Sequence, residues 1–472
     1  MELRCVDDPA GLAKRAAAGP SIRSKQRHAD GAMIYRQLLL FLAPLAIIPF
    51  ASEVGAQFLN GGMARIPNAV ETLAAYGLAF GLTSFLSTPL HQCGQLGLVL
   101  TNDHYSRRRN QLFLLVLWAA VGALLLLIAV TPVGIWIIED IHRVRASLSR
   151  EVRFAMLCLV PLALLDAYVR YFAGLLLRYR QTTAVSAATL AKIGSSIAAV
   201  FVLLPLDPVQ NRPILLPVAV AYIGAAAEAA VLFGAFFRHV FARLEEHTGA
   251  PYTLRQATRF YWPLVVVNAA WSASKPTMNL FIARGPAAEI ALAAIVVAES
   301  LANMTCGWVN EMRVMVPAFR EIPGSLRPIR RFFGSCGLLA FALMALLFWT
   351  PVRDVILGTL IALEPGVAAA CRLPLFIYSF LPLTLMVRGY VYGRALAEHR
   401  TSALLPSALT RVLVNVAALL ALPLWAIFGA TMGAAAVLMS LTAETIVAWA
   451  VVAHGRPTSL PVMGDAGCGA SS

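Results

Sequence analysis

The stretch Tyr261-Trp-Pro-Leu-Val-Val-Val-Asn-Ala-Ala-Trp-Ser-Ala-Ser-Lys-Pro-Thr-Met-Asn-Leu-Phe-Ile-Ala-Arg284 decides how the chain is read. It is long enough to cross a bilayer, which takes roughly 20 helical residues. Its polar residues are ordered: Asn268, Ser272, Lys275 and Asn279 follow at spacings of 4, 3 and 4, so a helix puts them on one face. A lysine at the bilayer centre costs about 2.5–3.5 kcal/mol even on the mildest insertion scale. The stripe must therefore face protein or a water-filled cavity, and the segment must belong to a bundle.

Working outward, the stretch has a counterpart. Pro44-Leu45, Asn60 and Arg65 recur as Pro263-Leu264, Asn279 and Arg284, each 219 residues later. The same offset carries Tyr171 to Tyr390, Gly174 to Gly393 and Lys192 to Arg411. Gly224-Ala-Ala-Ala recurs as Gly433-Ala-Ala-Ala after a shorter connection. An offset shared by several segments marks an internal duplication.

Composition agrees. Of 472 residues, 59% are hydrophobic and only 13% charged, about half the charged share of a soluble domain. No soluble fold hides that much apolar surface, which excludes a soluble enzyme and a disordered scaffold. The long apolar runs also argue against a transmembrane β-barrel, whose strands alternate. Twelve segments are predicted to span: 37–59, 69–92, 111–131, 153–177, 183–205, 214–237, 257–283, 287–312, 332–352, 368–393, 402–425 and 429–452. The expected fold is an all-α polytopic membrane protein with two six-helix lobes. A pseudo-twofold along the membrane normal relates them, with a cleft between. The expected divisions are a basic N-terminal segment (1–36), an N-lobe (37–237), an inter-lobe loop (238–256), a C-lobe (257–452) and a tail (453–472).

Lys and Arg gather in the N-terminus, in the loops that share its side, and in the tail, which predicts cytoplasmic termini in a cell membrane. The net charge of +14 thus reads as topology, not as a nucleic-acid surface. Glu139 to Arg153 reads as an amphipathic interfacial helix. The first 35 residues hold no apolar core of a signal peptide. The seven cysteines form no C-x-x-C pair, so neither a disulfide framework nor a zinc site is suggested. No Walker A, H-E-x-x-H or G-x-S-x-G sequence occurs. The expectation is no enzyme and no cofactor, with lipids and a small anionic solute as partners and a monomer as the working state.

Further residues share polar faces. Glu53, Gln57 and Asn60 do so in the first segment, Lys192 and Ser196 in the fifth, and Ser407, Arg411 and Asn415 in the eleventh. Glu71 lies in the second segment and Arg388 in the tenth. The expected solute site is Lys275, Arg388, Asn279, Asn60, Gln57, Arg411 and Lys192. Glu53, Asp166 and Glu71 are the candidate coupling or structural acids. Alternatives stand beside this reading. Asp166 and Arg170, at i and i+4, suit a structural pair. Lys192 and Arg411 suit helix ends or carbonyls. Lys275 suits the carbonyl freed by Pro276, Arg388 suits snorkelling, and Glu311 with Arg313 suits a latch at the inner mouth.

These residues carry a resemblance. Phe41-Leu-Ala-Pro-Leu45, Val70-Glu-Thr-Leu-Ala-Ala-Tyr-Gly-Leu-Ala79, Pro161 with Asp166, and Ala173-Gly174 match the progressive ankylosis protein (ANKH) family. So do Trp262-Pro-Leu264, Ser274-Lys-Pro276, Asn279-Leu-Phe281, Gly307-Trp308 through Glu311 and Arg313, Val387-Arg388, Arg411 and Glu444. The chain resembles that family in order from about residue 37 to about 446. The family is a branch of the superfamily of multidrug extruders and polysaccharide-lipid flippases. The resemblance implies export of small polyanions: pyrophosphate, ATP, or citrate and related carboxylates. It also implies that Lys275 replaces a family arginine. Glu228 stands where the family has an arginine, Lys192 near a family acid, Glu299 near an aromatic residue and Ala56 at an acid. A lipid-linked oligosaccharide or phospholipid flippase is the alternative.

Overall fold

The computed structural model describes residues 20–63, 65–141, 145–244, 253–320, 322, 326–361 and 363–454, and side chains from residue 34 except those of Gln57, Asn60, Ala69, Val70, Ile141 and Glu289. The tail beyond 454, most of the N-terminal segment and the middle of the inter-lobe loop thus lie outside the described residues.

The apolar segments form α-helices. The N-terminal half contributes α1 (Pro20–Met63), α2 (Ala69–Leu86, continued by Thr88–Leu100), α3 (His104–Val130), α4 (Ala146–Arg178), α5 (Thr182–Leu203) and α6 (Leu215–His239). The second half contributes α7 (Leu254–Ala283), α8 (Ala288–Glu311), α9 (Leu326–Trp349), α10 (Pro365–Tyr378, continued by Leu381–Ala397), α11 (Leu405–Ala421) and α12 (Gly429–His454). Capping boxes start two of them: Asp103 with Ser106 for α3, and Thr253 with Gln256 for α7. Each satisfies orphan backbone donors at a helix start.

By length and apolarity, nine helices among the described residues can span a membrane, or eleven if each bent pair counts as one span. The predicted seventh segment, within α7, is a 30-residue helix. It is long enough at about 1.5 Å per residue, but its polar stripe keeps it from counting on apolarity. The bent pairs are α2, which turns by 61° at Ser87, and α10, which turns by 40° at Ser379-Phe380. Pro89 and Pro382 sit in the first turn of the continuing halves, where a missing N–H costs least.

The helix expected from Glu139 to Arg153 is divided instead. A short helical connector covers 132–141, and its counterpart covers 352–360. Arg150 and Arg153 belong to the first turns of α4. There Arg153 donates to the carbonyls of Ala129 and Val130, each at 2.8 Å, and so closes the end of α3.

The duplication is written into the packing. In the N-lobe α1 packs on α5, α2 on α4, α3 on α4, and α5 on α6; in the C-lobe α7 packs on α11, α8 on α10, α9 on α10, and α11 on α12. The lobes meet through exchanged partners, α1 against α8 and α7 against α2. Backbone details obey the 219-residue offset. Asn68 (φ 53°) and Ala287 (φ 49°) hold the left-handed conformation just before α2 and α8. Arg180 (φ 59°) and His399 (φ 55°) hold it in the turns after α4 and α10. Both crossings of a lobe's second and fourth helices demand glycine: a Cβ on Gly174 would lie 1.9 Å from the Gly94 carbonyl oxygen, and one on Gly393 would lie 2.6 Å from that of Arg313.

Candidate functional site

Among the described residues, hydrogen bonds that join the lobes gather at one end of the bundle, the end rich in arginine. Tyr261 on α7 donates to the Pro89 carbonyl and lies 3.3 Å from Cys93 Sγ on α2. Asn268 Nδ2 lies 3.5 Å from the Thr88 carbonyl. The pseudo-twofold mate of that contact is Pro49 against Gly307, where an added Cβ would meet Pro49 Cβ at 3.1 Å. In the turn after α4, Arg180 donates to the Ala318 carbonyl at 3.3 Å and lies over the Phe319 ring at 4.4 Å. Phe319 in turn packs edge-on against Phe41 of α1, with ring centroids 5.3 Å apart.

Between these contacts lies a cavity of about 240 Å³. From α2 it takes Gln92 and Gln95, and from α7 Asn268 and Trp271 with the apolar Leu264 and Val267. Asn310 and Arg313 close it from the end of α8, and Arg388, Tyr392 and Leu396 from α10. The lining thus holds two guanidiniums, four amides and, among the described residues, no carboxylate. The Nε atoms of Arg313 and Arg388 and the Oε1 of Gln95 are buried without a hydrogen-bond partner. Buried polar atoms of that kind are costly unless something satisfies them, and the guanidiniums and amides of the lining can donate to a ligand's oxygens.

Behind the lining stands a buried charge cluster. Glu444 of α12 accepts from Arg388 Nη2 at 3.2 Å, from Arg411 Nη1 at 2.7 Å and from the Tyr392 hydroxyl at 2.5 Å. Arg411 also donates to Ser274 of α7 at 3.1 Å. Trp271 lies across both cations, 4.9 Å from Arg388 and 3.9 Å from Arg411. Arg388 lies 4.2 Å over Tyr392 as well. One carboxylate therefore serves two guanidiniums, and the cluster keeps a net positive charge facing the cavity.

Three of the other expected residues, Lys275, Lys192 and Asp166, pair away from the cavity. Lys275 is on the Asn268–Trp271 face, one turn beyond Trp271, and pairs with Glu299 of α8 at 2.6 Å; its side chain remains 58% exposed. Lys192 pairs with Glu228 of α6 at 2.7 Å. Asp166 and Arg170 pair at 2.7 Å, and Arg170 lies within electrostatic reach of Glu311 across the lobes. Asn279 Oδ1 is buried and unpaired. Glu53 is half-buried on α1 and Glu71 is exposed at the start of α2; neither lines the cavity. The side chains of Gln57 and Asn60 lie outside the described residues.

Arg313, which suits a latch by its sequence position, lines the cavity instead, and so do Gln92, Gln95, Trp271 and Tyr392, which are not among the expected site residues. Two of these carried a signal: Trp271 falls between Asn268 and Lys275 on the polar face, and Tyr392 is four residues after Arg388.

Solved structures share this fold. The eukaryotic MATE transporter AtDTX14 is similar over 90% of this chain and 95% of its own, with a TM-score of 0.64 at 12% identity. A mutant of the Vibrio cholerae MATE transporter VcmN is similar over 90% and 97%, with a TM-score of 0.66 at 12% identity. A MOP superfamily transporter from Pyrococcus furiosus, described as having a binding pocket of reverse polarity, is similar over 89% and 95%, with a TM-score of 0.60 at 13% identity. Identities this low establish the fold alone. The family itself comes from the sequence profile named Progressive ankylosis protein (ANKH), which matches residues 27–350. The chain is a multi-pass membrane transporter of MATE-like fold that belongs to the progressive ankylosis protein (ANKH) family.

Proposed function

We propose that this transporter exports a small polyanion by alternating access, holding it in the inter-lobe cavity at Arg313 and Arg388. The observation that carries the reading is the lining: two guanidiniums with buried, unpaired Nε atoms and, among the described residues, no carboxylate in the lining itself. Guanidiniums match the planar oxygen pairs of carboxylates and phosphates. The amides of Asn268, Asn310, Gln92 and Gln95 supply further donors, and Leu264 and Leu396 exclude water. Arg411 acts on the cavity through Glu444. Lys275 and Asn279, further along the α7 stripe, mark the path away from it.

The arginine-rich end is assigned to the cytoplasm, together with both termini, because basic residues are retained there. The lobes are then closed inside, and rocking them about the α1–α8 and α7–α2 contacts exposes the cavity to either side. Exit of an anion from a cell with an inside-negative potential is downhill by about 2.3 kcal/mol per charge per 100 mV. Family resemblance supplies the candidates pyrophosphate, ATP and citrate. The cavity, about 240 Å³, falls below the roughly 300–1,000 Å³ of drug-sized sites, which favours the two smaller anions.

The test is release of pyrophosphate, ATP and citrate from cells expressing the chain, beside Arg313→Ala and Arg388→Ala at equal surface abundance. Release of one anion that both substitutions abolish supports the reading. No release above empty cells overturns it and puts the lipid-linked oligosaccharide or phospholipid flippase in its place.

A further inference from the structure

Glu444, directly behind the cavity lining, does not touch the solute in the reading above, yet it accepts three side-chain bonds. Its side chain is 1% exposed, and it accepts from Arg388, Arg411 and Tyr392. The bond to Arg388 is the longest of the three at 3.2 Å, against 2.7 Å for Arg411 and 2.5 Å for Tyr392. Arg388 is also the member of this set that is both cationic and part of the cavity lining, with its Nε unpaired.

We propose that Glu444 is a built-in competitor for the solute: its carboxylate occupies Arg388 when the cavity is empty, and an entering anion takes Arg388 over while Glu444 stays on Arg411 and Tyr392. The inference rests on the reading of the cavity as the anion site. The exchange needs no bond making or breaking beyond hydrogen bonds and moves no proton. Before it, one carboxylate is shared by two guanidiniums; after it, each guanidinium has its own anion. Arg388 and Tyr392 are both on α10, Arg411 is on α11 and Glu444 on α12, so after the exchange the Tyr392 bond still ties α10 to α12 while Arg388 is free to hold the solute. The competitor also limits affinity, which lets a bound anion leave: removing the competing charge strengthens binding and slows release. Glu444 is thus a positioning residue, acting on the solute through Arg388.

The experiment measures citrate and pyrophosphate binding by calorimetry on the purified full chain in detergent, with export measured in parallel. Glu444→Gln keeps the shape and removes the charge. The expected result is at least about tenfold tighter binding of the exported anion with slower export, both abolished by adding Arg388→Ala. Tyr392→Phe frees the carboxylate from one of its anchors without changing charge, and serves where Glu444→Gln does not fold. Its carboxylate then pairs more freely with Arg388, so the expected result is weaker anion binding. Unchanged or weaker binding in folded Glu444→Gln overturns the inference and leaves the anion site standing, as does unchanged or tighter binding in Tyr392→Phe. A wild-type chain that binds and exports neither anion overturns both.

Discussion

Lys192 and Arg411 occupy the same place in their respective lobes, 219 residues apart, and each reaches an acid on the next helix at 2.7 Å, Glu228 and Glu444. The two pairs differ in setting. Lys192 is 39% exposed and Arg411 only 3%. The duplicated position has kept a cation facing the following helix, while the C-lobe alone has buried it against the cavity wall.

That difference predicts unequal stability effects. Arg411→Ala leaves Glu444 with one guanidinium fewer in a dry environment, where removing one partner costs about 3–5 kcal/mol. Lys192→Ala affects an accessible pair and costs about 1 kcal/mol or less. Thermal unfolding in detergent should show a clear drop for the first and little change for the second.

The glycine crossings give a paired prediction. Gly174→Ala and Gly393→Ala each drive a methyl into the backbone of the neighbouring helix, and rigid backbone cannot yield as a side chain can. Both variants should lose folded protein, measured as monodisperse material after extraction. Gly234→Ala and Gly334→Ala, where a Cβ meets nothing within 4 Å, should express as the parent does.

The contacts at the arginine-rich end predict a chemical probe of lobe separation. Cys93 is fully buried beside Tyr261. Tyr261→Phe removes both the bond to the Pro89 carbonyl and the bond to the thiol. Labelling of Cys93 by a maleimide, located by mass spectrometry, should be slow in the parent and several-fold faster in the variant. Equal rates would mean that these contacts do not hold the lobes together.

His399, in the turn after α10, predicts a pH dependence. Burial, then the charges of Arg320 and Arg178, holds its imidazole down at about 4 instead of the usual 6.5. The folded chain keeps the ring neutral where the unfolded chain protonates it, so stability falls as pH drops from about 6.5 towards about 4. His399→Asn, which tolerates the left-handed backbone at this position, should flatten that part of the melting-temperature profile. An unchanged slope would assign the loss to other groups.

Hydrophobic run length, the 219-residue offset and the spacing of Asn268, Ser272, Lys275 and Asn279 were all readable from the chain. They are local or strictly periodic, and lipid leaves a polar face only one place to go. The sequence therefore determined a two-lobed helical membrane protein and told which helix faces carry its charges. It did not determine partners. Lys275 meets Glu299, Lys192 meets Glu228, and Glu444 is shared by Arg388 and Arg411. Each pairing joins residues at least 24 positions apart, and depends on how one helix is turned against another. The same holds for the cavity: Gln92 and Gln95 enter it because α2 bends by 61°, and Arg313 because α8 ends where α10 crosses it. Periodicity fixes a residue's face on its own helix; only the packing of helices distant in sequence decides what that face meets.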